Sequence, residues 1–384
     1  MKPSARASFV AISVLFASLV LAPGAAAANP AVHAGLKIDW HEANSSGLGR
    51  PQGFPASAYA KGTYVVSSWA NQGGRIWAST DARHWSVVWS GDNPPFYIVP
   101  GGPGFVAWSI SGFMTSKNGH TWHSVTQGVP KRLLKSDFNQ LGSVAGTVVA
   151  FPDSGHGYWS ADGHNWNSVA PGSGPQGPIT LAGDGAHLWA LTGGWDFDTK
   201  TGVPVEVWVT ADGKTWTKSA QLPNSHRAEG LTAAFGPLGG VVIGAAKAWF
   251  SADDVHWHLA KNTPTLTRRG RDDVDAVVAD VSGFIVAAHR DPPGCVLDPT
   301  QRRALTFTSV DGQVWRTKST KGWLGQEIDQ LFVTGRTLFG VGIDWSDEAS
   351  SAGMVWRAQL PVVATDNAPP PGPIAKPGPE GCGP

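Results

Sequence analysis

Residues 160–166 read SADGHNW, and near copies stand at 79–85 (STDARHW), 116–122 (SKNGHTW), 210–216 (TADGKTW), 251–257 (SADDVHW) and 309–315 (SVDGQVW). Successive copies start 37 to 58 residues apart. That interval suits four short strands joined by loops of unequal length, one propeller blade per copy. The chemistry of the phrase is that of a turn. An Asp or Asn side chain accepts backbone N–H groups just ahead of it, Gly tolerates positive φ, and Trp opens the following strand with a large apolar surface. Asp81, Asn118, Asp162, Asp212, Asp253 and Asp311 therefore read as structural, one per turn.

Each phrase is preceded by two strand-like stretches, as FNQLGSVAG and TVVAFPDSG precede SADGHNW. After the sixth copy the layout begins again with IDQLFVTGR, TLFGVGIDW and AGMVWRAQL, a seventh blade short of its fourth strand. LKIDWHEAN, with Asp39 and Trp40, supplies it from the other end of the sequence. The expectation is an all-β, seven-bladed propeller whose amino-terminal strand, residues 36–42, pairs with 353–360 and leaves no open edge. A six-bladed ring is the alternative.

The pattern S/T-x-D-G-x-x-W resembles a shortened Asp-box (bacterial neuraminidase) repeat. That repeat occurs in sialidases, sortilin-like receptors, xyloglucanases and the photosystem II assembly factor. The resemblance spans nearly the whole mature chain. It implies a sialidase-like propeller with the phrases on the face away from the binding site. It does not imply sialidase chemistry: no Arg-Ile-Pro motif occurs, GRIW at 74–77 leads into a phrase, and the four tyrosines (Tyr59, Tyr64, Tyr97, Tyr158) precede the late blades where that family's nucleophile would fall.

The ends of the chain suggest export. Lys2 and Arg6 precede the apolar run FVAISVLFASLVLA and the small residues of PGAAAANP, a secretory signal over 1–28 cleaved after Ala27 or Ala28. The run is short for a membrane span, so the mature protein is expected to be extracellular and monomeric. Residues 29–365 form the propeller, and 366–384 read as a Pro/Gly-rich disordered tail. Cys295 and Cys382 form a candidate disulfide; free or intermolecular thiols are the alternative. Charge is balanced at 29 basic and 29 acidic residues, only 15% of residues are charged, and no basic stripe marks a nucleic-acid partner.

If the phrases occupy one face, loops joining the blades and loops after each second strand occupy the other. Those loops carry Glu229, Asp273, Glu327 and Asp329, candidate catalytic carboxylates, since glycoside hydrolysis needs a converging pair. Solvated loop charge is the plainer reading. Trp69, Trp195 and Trp345, with His226, Arg227, Arg271 and His289, are candidate ligand contacts. Trp108 and Phe151 fall at the same place in their blades, as rim aromatics or as packing between blades. DFDTKTG (196–202) lacks the Gly and closing Glu of a calcium loop, and no His pair has zinc spacing, so neither metal nor cofactor is expected. The leading expectation is a non-catalytic propeller binding a glycan, cell-wall polymer or protein partner. A polysaccharide hydrolase or lyase, and an extracytoplasmic assembly or scaffold factor, are the alternatives.

Overall fold

The computed structural model describes residues 36–361 apart from 44–45, 71–72, 137–138, 153–155, 171, 173, 177–178, 197–200, 265–271, 292–298 and 347–350. The side chains of residues 139, 195–196, 272–273 and 318–323 also lie outside the description. Cys295, Cys382, Arg271, the leader and the tail therefore fall outside it.

Seven four-stranded antiparallel sheets form a β-propeller. Blade one runs Gly53–Ala60, Thr63–Ala70, Gly73–Ser79 and Ser86–Gly91, from the axis outward. The inner strands of blades two to seven are Tyr97–Gly101, Asn139–Val144, Ile179–Gly183, Thr232–Gly236, Asp272–Asp280 and Gln326–Thr334. Neighbouring inner strands lie against one another around the axis. KRLLK forms a single helix, Lys131–Lys135, in the link from blade two to blade three.

Blade seven closes the ring differently from the expectation. Only His41 and Glu42 pair, with Arg357 and Trp356. Residues before them run along blade six instead. Leu36 N–H donates to Thr308 Oγ1 at 3.0 Å, and Trp40 Nε1–H donates to Thr306 Oγ1 at 2.9 Å. The amino-terminal segment thus straps the seam between blades six and seven before it joins the last sheet.

Each phrase builds the turn between the third and fourth strands. Asp162 Oδ1 accepts the N–H of His164 at 2.8 Å and of Asn165 at 2.7 Å, while Ser160 Oγ accepts the N–H of Gly163 at 2.9 Å. Asp81, Asn118, Asp212, Asp253 and Asp311 make the same pair of backbone contacts. The phrase glycine packs on the preceding blade: a Cβ at Gly163 would stand 2.7 Å from Thr115 Cγ2. The tryptophan does the same. Trp85, Trp166, Trp216, Trp257 and Trp315, together with half-buried Trp122, each join the apolar cluster between their own blade and the one before. Trp40 plays that part between blades six and seven. The repeat is a device for stacking blades. Asp212→Ala removes two backbone contacts, each at 2.8 Å, and is expected to cost about 1–2 kcal/mol in chemical denaturation.

Two phrases put another residue at the glycine position, Ala82 with φ 56° and Asp254 with φ 60°. The Asp254 Oδ1 is buried with no hydrogen-bond partner. Burial, then the charges of Asp184 and Asp253, push its carboxyl up to about 6, against an opposing effect of His187. A folded-state value above the unfolded one penalises the fold once the carboxyl ionises, so the penalty is complete above pH 6 and absent below about 4. Asp254→Gly should therefore stabilise by about 2 kcal/mol at pH 8 and by much less at pH 4. Equal gains at both pH values in thermal melts would contradict this account.

Candidate functional site

Inner strands begin on the face opposite the phrases, and in three consecutive blades that beginning is irregular. Blade six has an extra residue between Val274 and Ala276, blade seven between Ile328 and Gln330, and blade one between Gly53 and Ala56. The inner hairpins of blades two to five pair without such a shift. A bulge turns one side chain out of the alternation of its strand and re-aims it. The re-aimed residues are Asp275 and Asp329, and in blade one the bulge presents the N–H of Phe54. Gly342 makes the second of these possible, since a Cβ there would sit 1.9 Å from the Glu327 carbonyl oxygen.

These groups converge. Phe54 N–H donates to Asp329 Oδ2 at 2.8 Å, and the Asp329 and Glu327 carboxyls hydrogen-bond one another. His289, at the end of the second strand of blade six and 7% exposed, directs Nδ1 to Asp275 Oδ1 at 2.9 Å and lies 3.9 Å from Glu327 Oε1. Arg302 crosses from blade six to seven, Nε donating to Asp291 Oδ1 at 3.0 Å and Nη1 to Glu327 Oε2 at 2.8 Å. Four carboxyl groups thus surround two basic side chains.

The electrostatics follow from this packing. Burial alone would drive the proton off His289, but the hydrogen bond and charge of Asp275 and the charge of Glu327 reverse that and raise the imidazole to about 9. Burial, with the charges of Glu327 and Asp275, pushes Asp329 well above the usual carboxylate range, although the Phe54 N–H favours its ionised form. The neutral acid is the form that donates to Glu327. Asp275, His289 and Glu327 also offer three donor atoms within 4.8 Å of one another, a grouping that could hold a metal ion. No local motif marks it, because the three residues lie on separate strands of two blades.

Of the residues singled out from sequence, Glu327, Asp329 and His289 come together here. Asp273 pairs with His289 through the backbone, but its side chain lies outside the description, as does that of Trp195. Glu229, His226 and Arg227 stand on the loop entering blade five, the last two exposed. Trp69 and Trp345 reach this face at the ends of the second strands of blades one and seven, both half-buried. Trp69 meets Phe96 edge-on, with centroids 5.4 Å apart. Trp108 and Phe151 do not line the rim. They are 2% and 1% exposed and pack between blades. Arg302 escaped sequence reasoning altogether.

No protein-family model matches the chain, and no curated protein sequence matches it. Solved structures do. The chain is similar to YCF48 bound to a D1 peptide (TM-score 0.54, 13% identity, 86% of this chain and 98% of that one). It is also similar to the extracellular domain of a hybrid two-component system of B. thetaiotaomicron (0.50, 9%, 84% of this chain and 42% of that one). A fucose-specific lectin of Aleuria aurantia aligns at 0.39, with 11% identity over 82% of this chain and 96% of that one. At these identities the likeness shows a shared propeller fold and nothing of the ligand.

Proposed function

We propose that the chain is an exported, non-catalytic binding propeller that takes a carbohydrate polymer on the face where the inner strands begin, above blades six, seven and one. The leader-like residues 1–28 support export. The observation that carries the reading is the commitment of the carboxyl groups to one another. Glycoside hydrolysis sets its two carboxyl groups about 5–5.5 Å apart in retaining enzymes, and about 6.5–9.5 Å apart in inverting ones. Glu327 and Asp329 are in direct hydrogen-bond contact, and Arg302 occupies the other side of Glu327. Such a network has its carboxyl groups tied up in hydrogen bonds, suited to holding hydroxyl groups rather than to exchanging protons with a leaving group. Trp69 and Trp345 reach the same face half-buried, at the ends of the second strands of blades one and seven, and aromatic side chains with a few fixed polar groups are usual in a ligand site.

A glycan array and a peptide library probed with the mature chain test this. The expected result is polysaccharide binding, weakened about tenfold by Trp69→Ala or Trp345→Ala and unchanged by Glu229→Gln. Peptide binding without any glycan signal would overturn the ligand class. Turnover of a polysaccharide that Glu327→Gln abolishes would overturn the non-catalytic reading.

A further inference from the structure

We propose that Asp275, His289 and Glu327 form a site for a divalent first-row transition-metal ion, held across the seam of blades six and seven. The three donors are His289 Nδ1, Asp275 Oδ1 and Glu327 Oε1. Nδ1 lies 2.9 Å from the first oxygen and 3.9 Å from the second, and the donor set fits within 4.8 Å. An ion about 2.1 Å from each of three tetrahedrally disposed donors separates them by roughly 3.4 Å. The observed spacings straddle that value, so small side-chain movements admit the ion, which replaces the hydrogen between His289 and Asp275.

The donor types select among ions. A nine-tenths buried imidazole beside two carboxylates suits zinc or manganese, whereas calcium and magnesium take oxygen ligands. The surroundings have the form of an outer shell. Arg302 holds Glu327 by Oε2, which leaves Oε1 toward His289, and Phe54 N–H fixes Asp329 against Glu327. Groups of this kind orient metal ligands and tune their affinity. Asp275 owes its place to the bulge in blade six. Three protein donors also leave a coordination position open toward solvent or a bound ligand.

The mature chain, dialysed against EDTA, is titrated with Co²⁺ by visible absorption and with Zn²⁺, Mn²⁺ and Ca²⁺ by calorimetry. One equivalent of Co²⁺ or Zn²⁺ should bind, with Ca²⁺ weaker by about a hundredfold. Cobalt should give weak visible bands without intense near-ultraviolet thiolate absorption, since the proposed donors are one imidazole and two carboxylates. His289→Gln should weaken Zn²⁺ binding by at least about a hundredfold. If that variant does not fold, imidazole ¹⁵N spectra of the unaltered chain decide, because Zn²⁺ must shift the His289 ring signals. No stoichiometric binding, a thiolate band, unchanged affinity in His289→Gln, or a His289 ring that Zn²⁺ leaves unmoved would each overturn the site.

Discussion

Arg302→Ala is expected to lower the stability of the propeller by about 3 kcal/mol, far more than the loss of an exposed ion pair. Its guanidinium touches Asp291 at 3.0 Å within blade six and Glu327 at 2.8 Å in blade seven, and all three side chains are at least three-quarters buried. Truncation removes the guanidinium from between Asp291 and Glu327 and leaves Glu327 beside Asp275 and Asp329. Removing one partner of a buried pair strands the other's charge, which costs more than the pair contributed. The partial exposure of Arg302 sets the figure at the lower end of the usual range. Arg302→Lys should recover only part of the loss, because one ammonium cannot direct N–H groups along two fixed lines as the guanidinium does. Guanidinium denaturation of both variants at pH 7.5 measures the two losses. An Arg302→Ala protein with the parent's midpoint would show that the network is not stabilising.

Local chemistry was legible in the sequence, and chemistry assembled across blades was not. SADGHNW announces its turn because Asp162, Gly163 and Trp166 act within seven residues, and six copies with one further layout that lacks the phrase give the blade count. Trp40 was recognisable as a stray member of the same series, although its route along blade six was not. Second strands misled for a definite reason. They are buried on both faces, as the uninterrupted burial of Gly104–Ser109 and Thr147–Pro152 shows, so Trp108 or Phe151 at such a strand's end looks from sequence like Trp69 on the rim. Asp329 reads from sequence as one of four candidate catalytic carboxylates, with nothing to link it to Asp275. Their meaning comes from bulges, which a period-two pattern does not reveal. Arg302 had no local signal, and its partners are 11 and 25 positions away along the chain.

A chain shortened to begin at residue 44 is expected to lose the cooperative fold. Leu36 and Ile38 are buried at 4% and 1% exposure in the cluster between blades six and seven, and Trp40 packs against the same cluster. Losing a buried Leu or Ile side chain costs about 2–5 kcal/mol and losing a Trp about 3–5 kcal/mol, where neighbours cannot collapse into the space. Together these approach the whole stability of a typical domain, about 5–15 kcal/mol. The hydrogen bonds from Leu36 and Trp40 to Thr308 and Thr306, and that from Ala43 N–H to Val355, vanish as well. Ala352–Gln359 then becomes an outer strand with unpaired N–H and C=O groups at its centre, a template for pairing with another copy. Blade seven itself retains three strands, so the loss comes chiefly from the seam and less from the two residue pairs at His41 and Glu42. The double substitution Ile38→Ala with Trp40→Ala separates the two contributions, because it empties the seam while leaving the backbone pairing in place. It should account for most of the drop in melting temperature, without the oligomers that light scattering would detect for the shortened chain. A shortened chain that melts cooperatively near the parent's temperature would show that blade seven closes the ring on three strands alone.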